Sequence, residues 1–308
     1  MNKIIFNIKK ILKPLLKKIS NKKIRDFIIF LHNKSNEYTY NRSVLKYYSK
    51  FDLNQIEPEK AKVIKFLREN PFNLFPYEFT KKYNSSDIKV LKDEKNGLKY
   101  SFLNSKKIYF KKKLSEDNIK NILNSLTLEQ DIESPHRYLV ENFNLSENEI
   151  VADIGAAEGD FALSIIDKVK MLYIFEADPE LIESLKATFE PWKEKVVIVN
   201  KYISNKSNDM FTTLDLFFEN KELPTFLKID IEGAEYDSLQ GANKILSKDS
   251  GIKVVIATYH KHNDEIVLNN ELKKYGFKTE FSKGYILSIW DGIIKEPFLR
   301  RALIRAKK

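Results

Sequence analysis

From residue 149 onward, short apolar runs alternate with segments whose apolar positions recur every three or four residues. Runs at 149–154, 171–175, 196–200, 226–230, 253–258, 277–281 and 285–290 predict strands, and 158–169, 179–190, 233–247 and 264–275 predict helices. Strands alternating with helices indicate a parallel, doubly wound sheet. The last two runs are joined only by Ser282-Lys283-Gly284, a connection that allows nothing but a hairpin. One of them therefore runs antiparallel. The expectation is an α/β, Rossmann-like domain over 146–295 with seven mostly parallel strands and an antiparallel C-terminal hairpin. A basic tail is expected at 296–308.

Upstream, the pattern changes. Residues 88–91 and 98–103 flank Asn96-Gly97 and predict a hairpin, with 107–110 as a third strand. This hairpin and a helical segment at 115–145 form a lead-in over 87–145. Residues 26–86 read as helical, aromatic-rich and without evident chemistry. In residues 1–25, Ile4, Ile5, Ile8, Ile11, Leu12, Leu15, Leu16 and Ile19 recur at helical spacing, with lysines largely between them. This predicts a basic amphipathic helix kinked at Pro14. Charges interrupt every apolar run, so neither a transmembrane span nor a signal-peptide core is predicted. Docking on an anionic membrane face is one use for such a helix. Packing on its own protein or on a second subunit is the other, and a homo-oligomer stays open.

Composition narrows this picture. The 308 residues are 43% apolar, enough for one large domain or two smaller ones, and contain no cysteine. Disulfides and thiolate metal sites are thereby excluded, and a cytoplasmic setting is expected. Residues 1–50 hold 13 Lys/Arg and 2 Asp/Glu, so most of the net charge of +10 lies there and the remainder is nearly neutral. A nucleic-acid surface on the main domain is not expected.

Two motifs carry the chemistry. Asp153-Ile-Gly155-Ala-Ala157-Glu158-Gly159-Asp160 follows the first predicted strand of the domain, and Lys228-Ile-Asp230-Ile-Glu232-Gly233-Ala-Glu235 ends the fourth. Each is an apolar run ending in a carboxylate and a glycine, as at the carboxyl edge of a nucleotide-binding sheet. Glu158 and Asp160 at a helix start would repel a pyrophosphate. S-adenosylmethionine has no phosphate and carries a sulfonium and an ammonium, which an acid-lined pocket attracts. Glu176 ends the second strand, where a carboxylate can accept from both ribose hydroxyls. Asp178 before Pro179 suits a helix N-cap.

These residues resemble the cofactor motif of FkbM-type methyltransferases. Thr213-Leu-Asp215, the Lys228–Glu235 run, Leu239-Gln-Gly241-Ala242 and Tyr259-His260-Lys261 extend the resemblance, which spans roughly 88–290. It implies a class I methyltransferase fold and an S-adenosylmethionine-dependent O-methyltransferase acting on a hydroxyl of a sugar, glycan or related natural product. It also implies that Asp153, Gly155 and Gly159 hold the methionine end, Glu176 lies at the ribose, and Asp230 and Glu232 line the methyl-transfer site; Ala157, Asp178 and Asp230 are further candidates for binding the cofactor. An adenine-reading residue is not identifiable; Tyr202 to Asn205 is the candidate stretch.

A sugar hydroxyl is a poor nucleophile until its proton leaves. His260, neutral at pH 7 in its unperturbed state, is the expected base, with Asp230 and Glu232 as alternatives. His136, Arg137 and Tyr259 are expected at the acceptor. No metal is expected, although His260, His262 and Asp264 have a spacing that would suit one. A non-catalytic scaffold in glycan assembly and a nucleotide-dependent enzyme of another type remain alternatives.

Overall fold

The structure is a computed structural model, and it describes residues 37–249, 251–287, 296 and 298–308. The amphipathic helix expected at 1–25 lies outside these residues. The chain is helical over 37–48 (α1) and again at Pro58–Glu69 (α2). Strands Leu91–Lys92 (β1), Lys99–Leu103 (β2) and Lys106–Phe110 (β3) form a small antiparallel sheet, and helix Glu116–Glu129 (α3) follows. The helix expected over 115–145 stops there. From Gln130 the chain forms a loop, in which the Gln130 side chain accepts from the Tyr138 amide and donates to the His136 carbonyl. Pro135 biases the preceding residue away from helical geometry.

The main sheet begins with Glu149–Ile154 (β4), Asp160–Ile165 (α4), Val169–Phe175 (β5), Pro179–Phe189 (α5) and Val196–Val199 (β6). A short parallel pair, Tyr202–Ile203 (β7) and Phe211–Thr212 (β8), leads to Leu214–Phe217 (α6). Phe226–Ile229 (β9), Glu235–Gln240 (α7), Asn243–Leu246 (α8), Lys253–Ala257 (β10), Asp264–Lys274 (α9), Lys278–Phe281 (β11) and Leu303–Lys307 (β12) complete it. The seven-stranded order is β11-β12-β10-β9-β4-β5-β6. Only β12 runs antiparallel to its neighbours, so the expected sheet class is present.

The identity of the last strand is corrected. It is formed by 303–307 and not by 285–290, and residues 296–308 are no basic tail. Ile286 makes an isolated bridge to Arg300, while Tyr285 and Leu287 pack with Leu299 against α1 and α2. The cationic letters of 300–308 disguised a strand whose one arginine, Arg305, is buried. Arg305 Nε donates to the Tyr138 carbonyl, its Nη2 to the Arg137 carbonyl, and Leu303, Ile304 and Ala306 are fully buried.

Strand alternation divides the core between two faces. Val151 packs with Phe161, Leu181, Leu185 and Phe189 on one face, and Ile150, Ala152 and Ile154 pack with Leu239, Ile245, Leu268 and Leu272 on the other. Each such side chain is worth about 1.5–3 kcal/mol of burial. The two layers hold the carboxyl ends of β4, β5, β9 and β10 in fixed relation, and the candidate site lies there.

Candidate active site

The turn after β4 bends sharply because three of its residues have positive φ: Gly155 (79°), Ala157 (48°) and Gly159 (83°). At Gly155 only glycine fits. A Cβ there would lie 2.0 Å from the Asp230 carbonyl oxygen, so the two motif backbones touch. Gly159 caps α4, which starts at Asp160. Glu176 braces the turn from β5: its Oε2 accepts from the Ala157 amide at 2.9 Å and its Oε1 from the Asp178 amide at 2.7 Å. Asp178 caps α5 through the Glu180 amide and pairs with Lys111.

Between these elements lies a cleft of about 440 Å³. Gly155, Ala157, Glu158, Glu176 and Asp178 form one wall, and Asp230, Ile231, Glu232 and Ala234 the other. Tyr202 and Ile203 close the far end, which puts half of the candidate adenine stretch there, while Asn205 turns away to Asp237. Burial pushes the Glu158 carboxyl up from its usual range. Five acids against two lysines (Lys111, already paired, and Lys201) suit a cationic, phosphate-free ligand. The size falls within the range of small-molecule sites. Gly155, Ala157, Glu176, Asp178, Asp230 and Glu232 would hold such a ligand. Asp153 is not part of the wall. It is fully buried beneath the turn, its Oδ1 3.0 Å from Lys228 Nζ, and that ammonium also donates to the Gly155 carbonyl at 2.5 Å. Burial would lower the Lys228 pKa, but the Asp153 and Asp230 charges outweigh it and raise the value.

Asp230 is the node of the site. Tyr138 donates to its Oδ2 at 2.7 Å, His136 Nε2 lies 3.2 Å from the same oxygen, and His260 Nε2 lies 3.5 Å from Oδ1. The Tyr259 hydroxyl is 3.3 Å from Oδ1 and 3.2 Å from His136 Nε2. Burial alone would raise the Asp230 pKa, but the hydrogen bond and charge of His136, with His260 and Lys228, hold it well below the carboxylate range. Each imidazole has a second carboxylate behind it. His260 Nδ1 is 2.7 Å from Glu235 Oε1, and His136 Nδ1 is 3.9 Å from Glu129 Oε2. Burial pulls both histidines down, yet the Asp230 and Glu129 partners of His136, and the Glu235 and Asp230 partners of His260, leave both above ordinary imidazole. His260, the expected neutral base, thus has a carboxylate beyond each ring nitrogen, and these favour its charged form.

Of the other sequence-expected residues, Glu232 lines the cleft beside Asp230 with a φ of 55°, a strained conformation for a non-glycine residue. His136 and Tyr259 join the Asp230 cluster, but Arg137 does not. Its guanidinium donates to the Leu139 and Gln130 carbonyls and faces a separate cleft lined by Tyr83, Gln130 and Asp160. His260, His262 and Asp264 do not converge on one point, since Asp264 turns back to accept from the Lys261 amide at 2.6 Å. Among the described residues, the group with ligand-type atoms mutually within 4.8 Å is Asp230, Glu235 and His260. Its 2.7 Å Glu235–His260 contact is a hydrogen-bond distance, shorter than the roughly 2.9–3.3 Å that two ligands of one ion would keep.

Sequence reasoning missed Glu129 and Tyr138, which lie 92 or more positions from Asp230 in the chain. Glu235 was visible as part of its motif but had no assigned role. Arg300 and Arg305 were missed because they sat in the supposed tail. Arg300 donates to the Tyr259 carbonyl at 2.7 Å and Arg305 clasps the carbonyls beside His136, so β12 and its approach pin both halves of the cluster.

Residues 201–279 match the family model described as the methyltransferase FkbM domain. No curated protein matches the sequence. Among solved structures, methyltransferase FkbM from Methylobacillus flagellatus is 17% identical, with 62% of this chain and 54% of that chain covered and a TM-score of 0.44. This chain thus spans about half the length of that protein. Trm5b from Pyrococcus abyssi is 13% identical, with 68% and 55% covered and a TM-score of 0.40. A precorrin-6y C5,15-methyltransferase from Geobacter metallireducens is 10% identical, with 53% and 80% covered and a TM-score of 0.37. The matched stretch runs from β7 into β11 and contains the second motif, Lys228 to Glu235.

Proposed function

We propose that this chain is an O-methyltransferase that moves a methyl group from S-adenosylmethionine to a hydroxyl of a sugar or glycan. Bound S-adenosylmethionine supplies a methyl group made electrophilic by its sulfonium. The chain's own part begins with the acid-lined cleft, where Glu176 would accept from the ribose hydroxyls and the Gly155 turn would let backbone approach the ligand. The observation that carries the reading is Asp230. It is an anion on the cleft wall, ringed by two imidazoles and two tyrosine hydroxyls. Such a group can orient an acceptor hydroxyl by accepting its hydrogen bond, and it can take up the proton as the oxygen is alkylated.

Two measurements test this. Calorimetry should show saturable binding of S-adenosylmethionine and of its demethylated product, and none of a nicotinamide dinucleotide. Asp230→Asn should keep cofactor binding within a few-fold while slowing transfer at least about a hundredfold. Mass spectrometry of surface glycan from cells with and without the chain should show a single methyl difference, and an unchanged glycan rules out this acceptor class. A glycan acceptor assembled at the inner membrane face would also give the basic N-terminal segment a purpose.

A further inference from the structure

We infer that Glu129, His136 and Asp230 form a proton exit from the active site, entered from the cleft at Asp230 and ending at the half-buried Glu129. This deepens the reading above and rests on it for the source of the proton.

The geometry is an alternating row of carboxylates and imidazoles. Glu129 faces His136 Nδ1 at 3.9 Å, His136 Nε2 faces Asp230 at 3.2 Å, Asp230 faces His260 Nε2 at 3.5 Å, and His260 Nδ1 faces Glu235 at 2.7 Å. The row has one opening on each side. Asp230 lines the cleft. Glu129, the last residue of α3, keeps 28% of its side chain exposed, whereas Glu235 keeps 1%. The Glu235 arm is therefore closed. It fixes the His260 ring, as a carboxylate behind a functional imidazole does. The Glu129 arm is the one that can reach water. His136 Nδ1 is buried and has no hydrogen-bond partner among the described residues, so a proton on that nitrogen has Glu129 as its nearest acceptor. The 3.9 Å gap exceeds a hydrogen bond and calls for a bridging water or a closing movement of the half-buried glutamate.

The proton balance is as follows. The acceptor oxygen forms its bond to the methyl carbon, and the carbon–sulfur bond breaks with its electron pair going to sulfur. The hydroxyl proton passes to Asp230 while His136 gives its Nδ1 proton to Glu129, which later releases it to water; the neutral ring then turns over to present its bare nitrogen to Asp230 and takes up that proton, which resets the site. Before that release three groups are neutral, and the network has gained the one proton that the hydroxyl lost. The two transfers help each other. The His136 charge is what keeps Asp230 a weak base, and it disappears as Glu129 accepts. Burial raises the Glu129 carboxyl, which suits it to receive. The groups facing this path are Lys228, Tyr138, Tyr259, His260 and Asp230 around His136, with Glu129 behind it and the Glu158 and Asp160 carboxyls facing Glu129 in turn.

Nitrogen-15 NMR of histidine-labelled protein tests the network without any acceptor, because the chain has only 4 histidines. In the wild type, the His136 signals should titrate above the ordinary imidazole value. Glu129→Gln should lower that midpoint and leave His260 in place, and Glu235→Gln should do the reverse. In an assay with labelled S-adenosylmethionine and glycan from cells lacking the chain, Glu129→Gln should slow transfer about tenfold or more and raise the solvent deuterium effect. Cofactor affinity should stay within twofold, and Glu129→Asp should restore the rate. A His136 midpoint near 6.5 that ignores Glu129, or wild-type transfer by Glu129→Gln, overturns the exit. So does transfer that is lost to a chelator and returns with a divalent cation, because the proton would then be removed through an ion. Failure of the wild type to bind S-adenosylmethionine defeats the proposed function instead, and the NMR titration reads the network independently of it.

Discussion

Single atoms decide most of what this site can do. At Gly155 a methyl group would meet the Asp230 carbonyl at 2.0 Å, whereas at Gly97, whose φ is also positive, it would meet nothing within 4 Å. Gly97→Ala should therefore cost about 1 kcal/mol of left-handed strain. Gly155→Ala should cost several kcal/mol and abolish cofactor binding, since the two motif backbones must separate. Thermal melts and calorimetry on both variants would separate local strain from cradle damage. The buried Asp153–Lys228 pair behaves differently. Removing only the carboxylate with Asp153→Ala strands an ammonium, at a cost of about 3–5 kcal/mol in a denaturant titration. Adding Lys228→Met should recover part of that loss, and strict additivity of the two changes would argue against the pair. Asp160 sets a pH dependence. Burial raises its pKa to about 7, above the 3.8 of the free side chain. Between those values the folded state holds a proton that the unfolded chain has released, so this group's contribution falls as pH rises from about 4 to 7 and is level beyond. Asp160→Asn should flatten that slope, so its melting temperature should gain on the wild type at pH 8 relative to pH 4.

At the scale of elements, β12 separates what the chain's pattern reveals from what it hides. It lies between β10 and β11, and its Ile304 opposes Ile256 and Phe281. Ile304→Ala should cost about 2–4 kcal/mol, against no more than about 0.5 for Ile266→Ala on the exposed face of α9. Equal, small effects would mean that 303–307 does not pair in solution. The strands of the first half were legible because parallel strands buried on both faces are unbroken apolar runs: 149–154 was delimited to the residue. β12 was not, since two of its five residues are cationic and its antiparallel partner lies 21 residues upstream, beyond a connection that bridges to Arg300. The site divides along the same line. Asp230, His260 and the Gly155 turn are local motif features and could be read directly. The roles of Glu129, His136 and Tyr138 depend on where a loop lands after α3, which is set by Gln130 side-chain bonds and by two distant arginines. No periodicity encodes such contacts.

Over the whole molecule, charge and chemistry are segregated. The cleft, the proton network and both sheet layers belong to residues 37–308, whereas residues 1–25 hold nine basic and no acidic side chains. A helix with isoleucine and leucine on one side and lysine on the other gains both from apolar insertion and from anionic lipid, at about 1 kcal/mol for each lysine near the surface. Among the described residues no helix is long and apolar enough to cross a membrane. The full chain should therefore sediment with vesicles containing phosphatidylserine and far less with phosphatidylcholine alone. Raising salt from 0.1 to 1 M shortens the screening length from about 10 to about 3 Å and should release it. Deleting 1–25 should abolish sedimentation and leave S-adenosylmethionine affinity unchanged, because every residue of the cleft wall lies between 111 and 234. Salt-insensitive binding, or binding kept by the deletion, would place the membrane contact elsewhere on the protein. Loss of cofactor affinity on deletion would instead mean that the segment packs on its own protein.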